Sequence, residues 1–352
     1  MGQKGYRRVI ALGLAERGWI PDTIVRYGIR QLLQGRLGEQ RKRFQTVQGA
    51  KPGFYERLRK EPIAVQTADA NRQHYEMPAE MFKYILGPRL KYSCALYPSG
   101  AESLNQAEDA MLELTCRRAD IRDGMSILEL GCGWGSLSLW IAEHFPNARI
   151  VAVSNSASQR AFIEQEAKRR GLQQLTVLTQ NLTEFSTQDK FDRVVSIEMF
   201  EHMRNYHLLL SRIAQWLNPA GKLFVHIFCH RQFAYLFETN KDADWMAKHF
   251  FTGGIMPSQD IFSYFNDHLH VCAQWEVNGH HYAQTCEAWL TNQDQNRKQI
   301  LNVLRNYLPD NLVALQYRRW RIFFMACAEL FRFAHGQEWK VGHYLLENIH
   351  KT

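Results

Sequence analysis

The sequence lacks any long run of apolar residues, and no window approaches the roughly 18 that a membrane-spanning helix needs. Its first residues, Met1 to Tyr6, lack the apolar core of a signal peptide and the Ser or Thr of a myristoylation site. Its seven cysteines are scattered and form no CxxC pair, which argues against a disulfide framework and a zinc ribbon. We therefore expect a soluble, unprocessed protein of the cytoplasm with reduced thiols.

The composition is that of an ordinary globular protein, with 45% hydrophobic, 22% charged and 12% aromatic residues. It excludes collagen, coiled coil and wholesale disorder, and the chain contains no internal repeat or low-complexity tract. At 352 residues the chain is long enough for one large domain with appendages, or for two domains.

Positive charge is concentrated near the N-terminus. Residues 1–60 contain 14 Lys and Arg against 4 Asp and Glu, whereas the rest of the chain contains 29 against 31. A basic segment attracts phosphate, whether in nucleic acid or on an anionic membrane. No zinc-finger, RNP or basic-zipper pattern accompanies the charge, so we expect no nucleic-acid partner. We favour a solvated helical face and leave a peripheral membrane contact open.

Helical periodicity begins at residue 7 and continues to about residue 38, with a break at Pro21. Asp22 follows the break and is placed to cap the second helix. Residues 39–80 are polar, contain several Gly and Pro, and indicate a connector. The prediction is a basic helical extension over residues 1–80, followed by the main domain over residues 81–352.

The main domain begins with alternating helices and strands. Helices are predicted over 105–118, 137–145 and 157–170, and strands over 126–130, 150–153, 176–178, 191–197 and 222–227. Such alternation predicts an α/β fold with a parallel, doubly wound sheet.

A glycine-rich loop follows the first of these strands, with glycines at 131, 133 and 135. A strand, a glycine turn and a helix bring the backbone close to a ligand and direct a helix N-terminus at it. A dinucleotide-binding fingerprint would place its third glycine at the position of Ser136, and no P-loop lysine follows. An ordinary tight turn between strand and helix is the alternative interpretation.

With Glu129 two residues ahead of it, this loop resembles the first motif of class I S-adenosylmethionine (SAM) methyltransferases. Other segments follow at spacings typical of one group within that family: Tyr92-Ser93-Cys94, residues 153–156 with Gln159, residues 198–202, and residues 254–258. That group contains the cyclopropane fatty acid synthases and the plant coclaurine and other benzylisoquinoline N-methyltransferases. The resemblance extends from about residue 80 to 350.

The resemblance implies a Rossmann-like methyltransferase fold, SAM as the cofactor, and a helical, aromatic lid over about residues 230–352. Asn181 stands where the family usually has an aspartate that binds the adenine amine, and an amide can still accept that bond. The implied SAM-binding residues are Tyr92, Ser93, Glu129, Gly131, Gly133, Asn155, Ser156, Gln159, Asn181, Leu182 and Ile197. The implied substrate residues are Cys94, His226, Trp289 and Phe324.

The late segment distinguishes the two branches of the group. Cyclopropane synthases use a tyrosine after the tryptophan of this segment in a bicarbonate site that also involves the equivalents of Glu201 and His226. This chain has Leu290 after Trp289, as the alkaloid N-methyltransferases do. We therefore interpret the chain as an N-methyltransferase of a small aromatic or alkaloid-like amine. Cyclopropanation of unsaturated phospholipid chains is the alternative, and a SAM-binding module or RNA modifier is a third hypothesis.

Three residues after the fourth strand suit amine chemistry: Glu198, Glu201 and His202. Amine methylation needs a neutral nitrogen, so a base must lie within hydrogen-bond distance. The resemblance implies that Glu201 and His202 act as base and orienting pair, while Glu198 attracts the cation. Without the resemblance, the simpler interpretations are that Glu201 is an acid favoured near a helix N-terminus and that His202 is a histidine of the core. No acidic or Cys partner at ligand spacing accompanies His280-His281, with His268 and His270 nearby, so we expect no metal. A homodimer stays open.

Overall fold

A sheet of seven strands forms the centre of the computed structural model, which describes residues 11–65, 77–237 and 245–349. Its order is β3-β2-β1-β4-β5-β9-β8, and a two-stranded sheet pairs β6 with β7. The strands are β1 (Ser126–Leu130), β2 (Arg149–Ser154), β3 (Leu175–Thr179), β4 (Phe191–Ile197), β5 (Leu217–His230), β6 (Tyr235–Leu236), β7 (Ile255–Met256), β8 (Leu269–Val277) and β9 (Trp339–Asn348).

Strands β1 to β5 pair in parallel, whereas β9 runs antiparallel to β5 and β8. Side chains such as Ile127, Leu128 and Val194 are fully buried, as expected for strands covered by helices on both faces. The covering helices are α1 (Asp22–Thr46), α2 (Ala50–Leu58), α3 (Ala79–Ile85), α4 (Leu104–Arg118), α5 (Ser136–His144), α6 (Ala157–Arg170), α7 (Tyr206–Trp216), α8 (Trp245–His249), α9 (Gly279–Gln295), α10 (Arg297–Arg305) and α11 (Asp310–Gly336).

The sequence-based elements of the main domain are confirmed to within a few residues, apart from β5, which extends well beyond the predicted 222–227. The prediction of a connector over residues 39–80 is wrong in part, because α1 continues to Thr46 and is followed by α2 and α3. The cap is also wrong: Asp22 is the first residue of α1 and caps no backbone group. Its carboxylate instead receives two hydrogen bonds from Arg321, 299 residues away. Residues 7–10 and 66–76 of these predictions lie outside the described residues.

Two of the six basic side chains of α1 form ion pairs with acidic residues of the C-terminal helices. Arg26 donates to Glu287 on α9 and to Glu329 on α11, at 2.7 and 3.1 Å, and Arg30 also binds Glu329. These contacts fix α1 against the two helices that bear the aromatic C-terminal residues. In the described part of the chain, every helix is too short or too polar to span a lipid bilayer.

Candidate functional site

The site lies at the edge of the sheet where β1, β4 and β5 end. In parallel sheets this edge collects the loops that bind ligands. The glycine loop follows β1 and has three residues with positive φ: Gly131 (80°), Gly133 (52°) and Gly135 (78°). Glycine adopts this backbone without strain, which explains the pattern.

Two adjoining clefts surround the loop. They share Gly131, Gly133, Gln159 and Glu198 and therefore form one continuous groove, which we call the loop cleft. Its first part is also lined by Tyr92, Ser93, Glu129, Ser136 and Ile197, and its second part by Asn155, Asn181, Leu182, Met199 and His202. Ten of the eleven predicted SAM-binding residues thus lie along it; the exception is Ser156, which caps α6 by accepting from the Gln159 N–H.

The loop cleft fits SAM because Gly133 leaves room that any side chain would fill. A Cβ built there meets no protein atom within 4 Å, although Gly133 lines both parts of the cleft. At Gly131, by contrast, a Cβ would come within 2.7 Å of Met199. The first glycine therefore allows the loop to pack against the protein, and the second keeps the backbone open to a ligand.

Two polar residues of the loop cleft are held by the protein. Glu129 is buried and accepts a hydrogen bond from Ser138, and burial raises the pKa of this carboxyl to about 7. The Asn181 side-chain oxygen accepts from the Thr183 N–H at 3.1 Å. That bond fixes the amide at the cleft and leaves its oxygen a second lone pair for a ligand.

A second cavity opens beside the loop cleft and shares Tyr92, Glu198 and His202 with it. We call it the aromatic cavity. Its remaining lining residues are Glu201, Phe228, Phe251, Tyr282, Cys286, Trp289, Phe323 and Cys327. Two carboxyl groups and an imidazole thus face a space with mostly aromatic walls. Aromatic faces attract organic cations, and the carboxylates add charge of the opposite sign.

Glu198 is the most heavily bonded group of the site. Its backbone is in the left-handed region (φ 48°), and its N–H donates to the His226 carbonyl at 2.8 Å. Its Oε1 accepts from the Cys94 N–H at 2.9 Å and contacts His226 Nε2 at 3.1 Å, while Oε2 accepts from the Tyr282 hydroxyl. Burial raises the pKa of Glu198 to about 7, and these donors, with the nearby Lys91 ammonium, oppose that rise.

Glu201 is buried beside Glu198 without comparable support. Among the described residues, its Oε2 has no hydrogen-bond partner. Burial and the like charge of Glu198 raise the pKa of Glu201 well above its ordinary value. A buried, unpartnered carboxyl oxygen costs stability, which makes it a candidate for binding a ligand.

This arrangement predicts that Glu201→Gln stabilises the folded protein at alkaline pH. The unfolded chain releases the Glu201 proton near pH 4.5, while the folded chain keeps it to higher pH. The folded state therefore binds more protons over that interval, and the free energy of unfolding falls as pH rises. In thermal unfolding, the melting temperature of the variant relative to that of the wild type should rise between pH 5 and pH 8. A pH-independent difference, or an equal gain from Glu113→Gln at an exposed position on α4, would contradict this.

The His202 ring lies parallel to Phe251, with centroids 5.7 Å apart. It lines both the aromatic cavity and the loop cleft. It therefore stands where the aromatic cavity and the loop cleft meet.

Four residues were predicted to contact substrate, but only Trp289 lines the aromatic cavity. Cys94 and His226 are completely buried behind the cavity wall, where they contact Glu198. Phe324 is also fully buried and supports Trp289 with ring centroids 5.6 Å apart. These three contact lining residues of the cavity, and the neighbouring Phe323 lines it.

Sequence reasoning missed Tyr282 and Lys91. Tyr282 lies eight residues before Leu290 on the same helix and presents a hydroxyl to Glu198, and no local pattern signals this. Lys91 is fully buried and donates to the Cys94 carbonyl at 2.7 Å. Its position directly before the Tyr92-Ser93-Cys94 segment was the only available signal. Within the described parts of the chain, no group of three His, Cys, Asp or Glu residues could hold a metal.

Comparison with known proteins gives consistent matches along the chain. The family model described as mycolic acid cyclopropane synthetase matches residues 64–341. (S)-Coclaurine N-methyltransferase of Thalictrum flavum subsp. glaucum is 37% identical, over 94% of this chain and 93% of that protein. A crystal structure of coclaurine N-methyltransferase bound to N-methylheliamine and SAH gives a TM-score of 0.88 at 35% identity, covering 96% and 99% of the chains. The cyclopropane synthase MmaA2 of Mycobacterium tuberculosis gives 0.68 at 20% identity, over 81% and 99%, which shows the fold alone.

Proposed function

We proceed from the fact that this chain belongs to the mycolic acid cyclopropane synthetase family of SAM-dependent methyltransferases, and we propose that it methylates the nitrogen of an aromatic or alkaloid-like amine. Membership confirms the predicted fold class and SAM as the cofactor. The amine as acceptor, the roles of individual residues and the division at residue 80 are parts of the proposal.

The observation that carries the proposal is the unpartnered Glu201 carboxyl at an aromatic cavity. Its Oε2 needs a hydrogen-bond donor, and a protonated amine supplies one together with a positive charge. Rings such as Trp289 and Phe251 line the same cavity and favour a cation with apolar substituents. The lipid alternative would need bicarbonate as the partner of this oxygen, and Leu290 stands where the cyclopropane synthases have the tyrosine of that bicarbonate site.

The resulting mechanism requires little of the protein beyond orientation and proton removal. When bound, SAM supplies a methyl group that its sulfonium already activates for displacement by a nitrogen lone pair. Glu198, held by its donors, attracts the ammonium form of the substrate. Burial and the like charge of Glu198 disfavour the charged form of Glu201, so its carboxylate, once formed, is a strong base. The positive charge of the bound ammonium ion favours that carboxylate, which then takes the ammonium proton and frees the lone pair. His202 orients the nitrogen toward the loop cleft.

The proposal is tested with purified protein, SAM and a panel of aromatic secondary amines, each paired with the matching ether that has oxygen in place of nitrogen. SAH formation measured by chromatography should require the amine. If no amine supports turnover while the protein still binds SAH, or if the ethers are equally effective, the proposal fails. The phospholipid alternative has weaker support, because the cyclopropane synthase structure is 20% identical, whereas the coclaurine N-methyltransferase relative is 37% identical over 94% of this chain.

A further inference from the structure

A row of hydrogen bonds leads from the end of α4 to Glu198. Arg118, the last residue of α4, contacts His343 Nδ1 at 2.8 Å. His343 Nε2 lies 2.9 Å from His226 Nδ1, and His226 Nε2 lies 3.1 Å from Glu198 Oε1. The two histidines lie directly opposite each other in the β5–β9 register and are completely buried.

The direction of these bonds is fixed at the Arg118 end. A guanidinium has donors only, so His343 Nδ1 must be an acceptor. Burial holds the pKa of both His343 and His226 well below the ordinary value, so each ring carries one proton. The His343 proton is therefore on Nε2 and is donated to His226 Nδ1. This leaves the His226 proton on Nε2, where it is donated to Glu198.

We propose that Arg118 and His343 are positioning residues that act through His226 to direct an N–H at Glu198 and so favour its carboxylate form, the stronger hydrogen-bond acceptor. This proposal rests on the proposed function in one respect only, the attraction of an ammonium ion by Glu198. A Glu198 protonated on Oε2 would not attract a cation, and its Oε1 would accept from His226 more weakly than a carboxylate oxygen does. The arginine thus affects the site through two buried rings that line neither the loop cleft nor the aromatic cavity.

Other groups also face the members of this row. Lys91, the Cys94 N–H and Tyr282 favour the Glu198 carboxylate, whereas Glu201 opposes it by like charge. His202 lies on the same segment as Glu201. Around the outer members, the Arg118 guanidinium lies 5.2 Å from the Trp275 ring centre, Arg117 is its charged neighbour, and the Phe224 ring meets His343 edge-on at 5.2 Å.

Two pairs of variants test the proposal. His343→Gln keeps an acceptor for Arg118 and a donor for His226, whereas His343→Leu keeps neither. Arg118→Met removes the donor, and Arg117→Met makes the same charge change beside it. We expect His343→Leu and Arg118→Met to move the acid limb of the kcat/KM profile about one pH unit upward, as expected when a bond favouring a charged form is lost. His343→Gln and Arg117→Met should stay near the wild type. A His343→Leu profile that overlays the wild type, or a His343→Gln variant as shifted as His343→Leu, overturns the proposal.

A second measurement does not depend on turnover. Nitrogen-15 NMR of labelled histidine in the full-length protein reports which ring nitrogen carries the proton, and His343→Gln assigns the signals. We expect both His226 and His343 to be unprotonated at Nδ1, and Arg118→Met to alter the His343 pattern. A proton on Nδ1 of either ring in the wild type would show that the hydrogen bonds do not run in this direction, and it would overturn the proposal. If no amine is methylated, the proposed function fails, and the NMR result still decides this proposal.

Discussion

Glu201→Gln lowers kcat/KM for the amine by about 10²- to 10⁴-fold, the usual contribution of a positioned base. Glutamine keeps the size of the side chain but cannot take the ammonium proton. Since the loop cleft does not include Glu201, binding of SAH should change little. The measurements are steady-state kinetics across pH and SAH titration by calorimetry.

The matched control is Glu113→Gln, at an exposed position on α4 that lines neither the loop cleft nor the aromatic cavity. It makes the same chemical change and should leave kcat/KM within about twofold. Because Glu201→Gln is also expected to gain thermal stability at pH 8, its loss of activity cannot be attributed to unfolding. A variant that is fully active, or one that is inactive because it no longer folds, contradicts the account of Glu201.

Gly133→Ala weakens SAH binding by about 10- to 100-fold. The added methyl group meets no protein atom, so it enters the space that the ligand should occupy, and such overlap costs about 1–3 kcal/mol. The change should appear in the dissociation constant measured by calorimetry, with only a small change in melting temperature.

Gly124→Ala is the matched control for this experiment. Gly124 also has positive φ (81°) and no protein atom within 4 Å of a built Cβ, but it precedes β1 and lines neither part of the loop cleft. Both variants therefore carry similar backbone strain, and only Gly133→Ala should impair binding. Equal SAH affinity in the two variants would show that the glycine loop is not part of the cofactor site.

The first half of the main domain could be predicted because its signals are local. The strand β1, the glycines that follow it and the helix α5 are contiguous, and their periodicity changes where the structure changes. The strand β9 gave no such signal, since nearly all of its residues are buried and polar and apolar residues do not alternate along it.

The support around Glu198 could not be predicted, because it is assembled by tertiary contacts. Its partners Cys94 and Tyr282 lie 104 and 84 residues away, and Arg118 and His343 are separated by 225. Glu198, Glu201 and His202 occur within five residues and were therefore proposed together from the sequence. The contacts that give the two carboxyl groups different roles are visible only in the three-dimensional structure.

The most direct test of the central claim supplies SAM with a fully deuterated methyl group to the protein together with aromatic amines and unsaturated phospholipid. Mass spectrometry of both pools then identifies the acceptor. The account predicts an amine product that keeps all three deuterons and an unlabelled lipid. A lipid product that has lost one deuteron, with the amines unlabelled, would mean cyclopropanation and would contradict it.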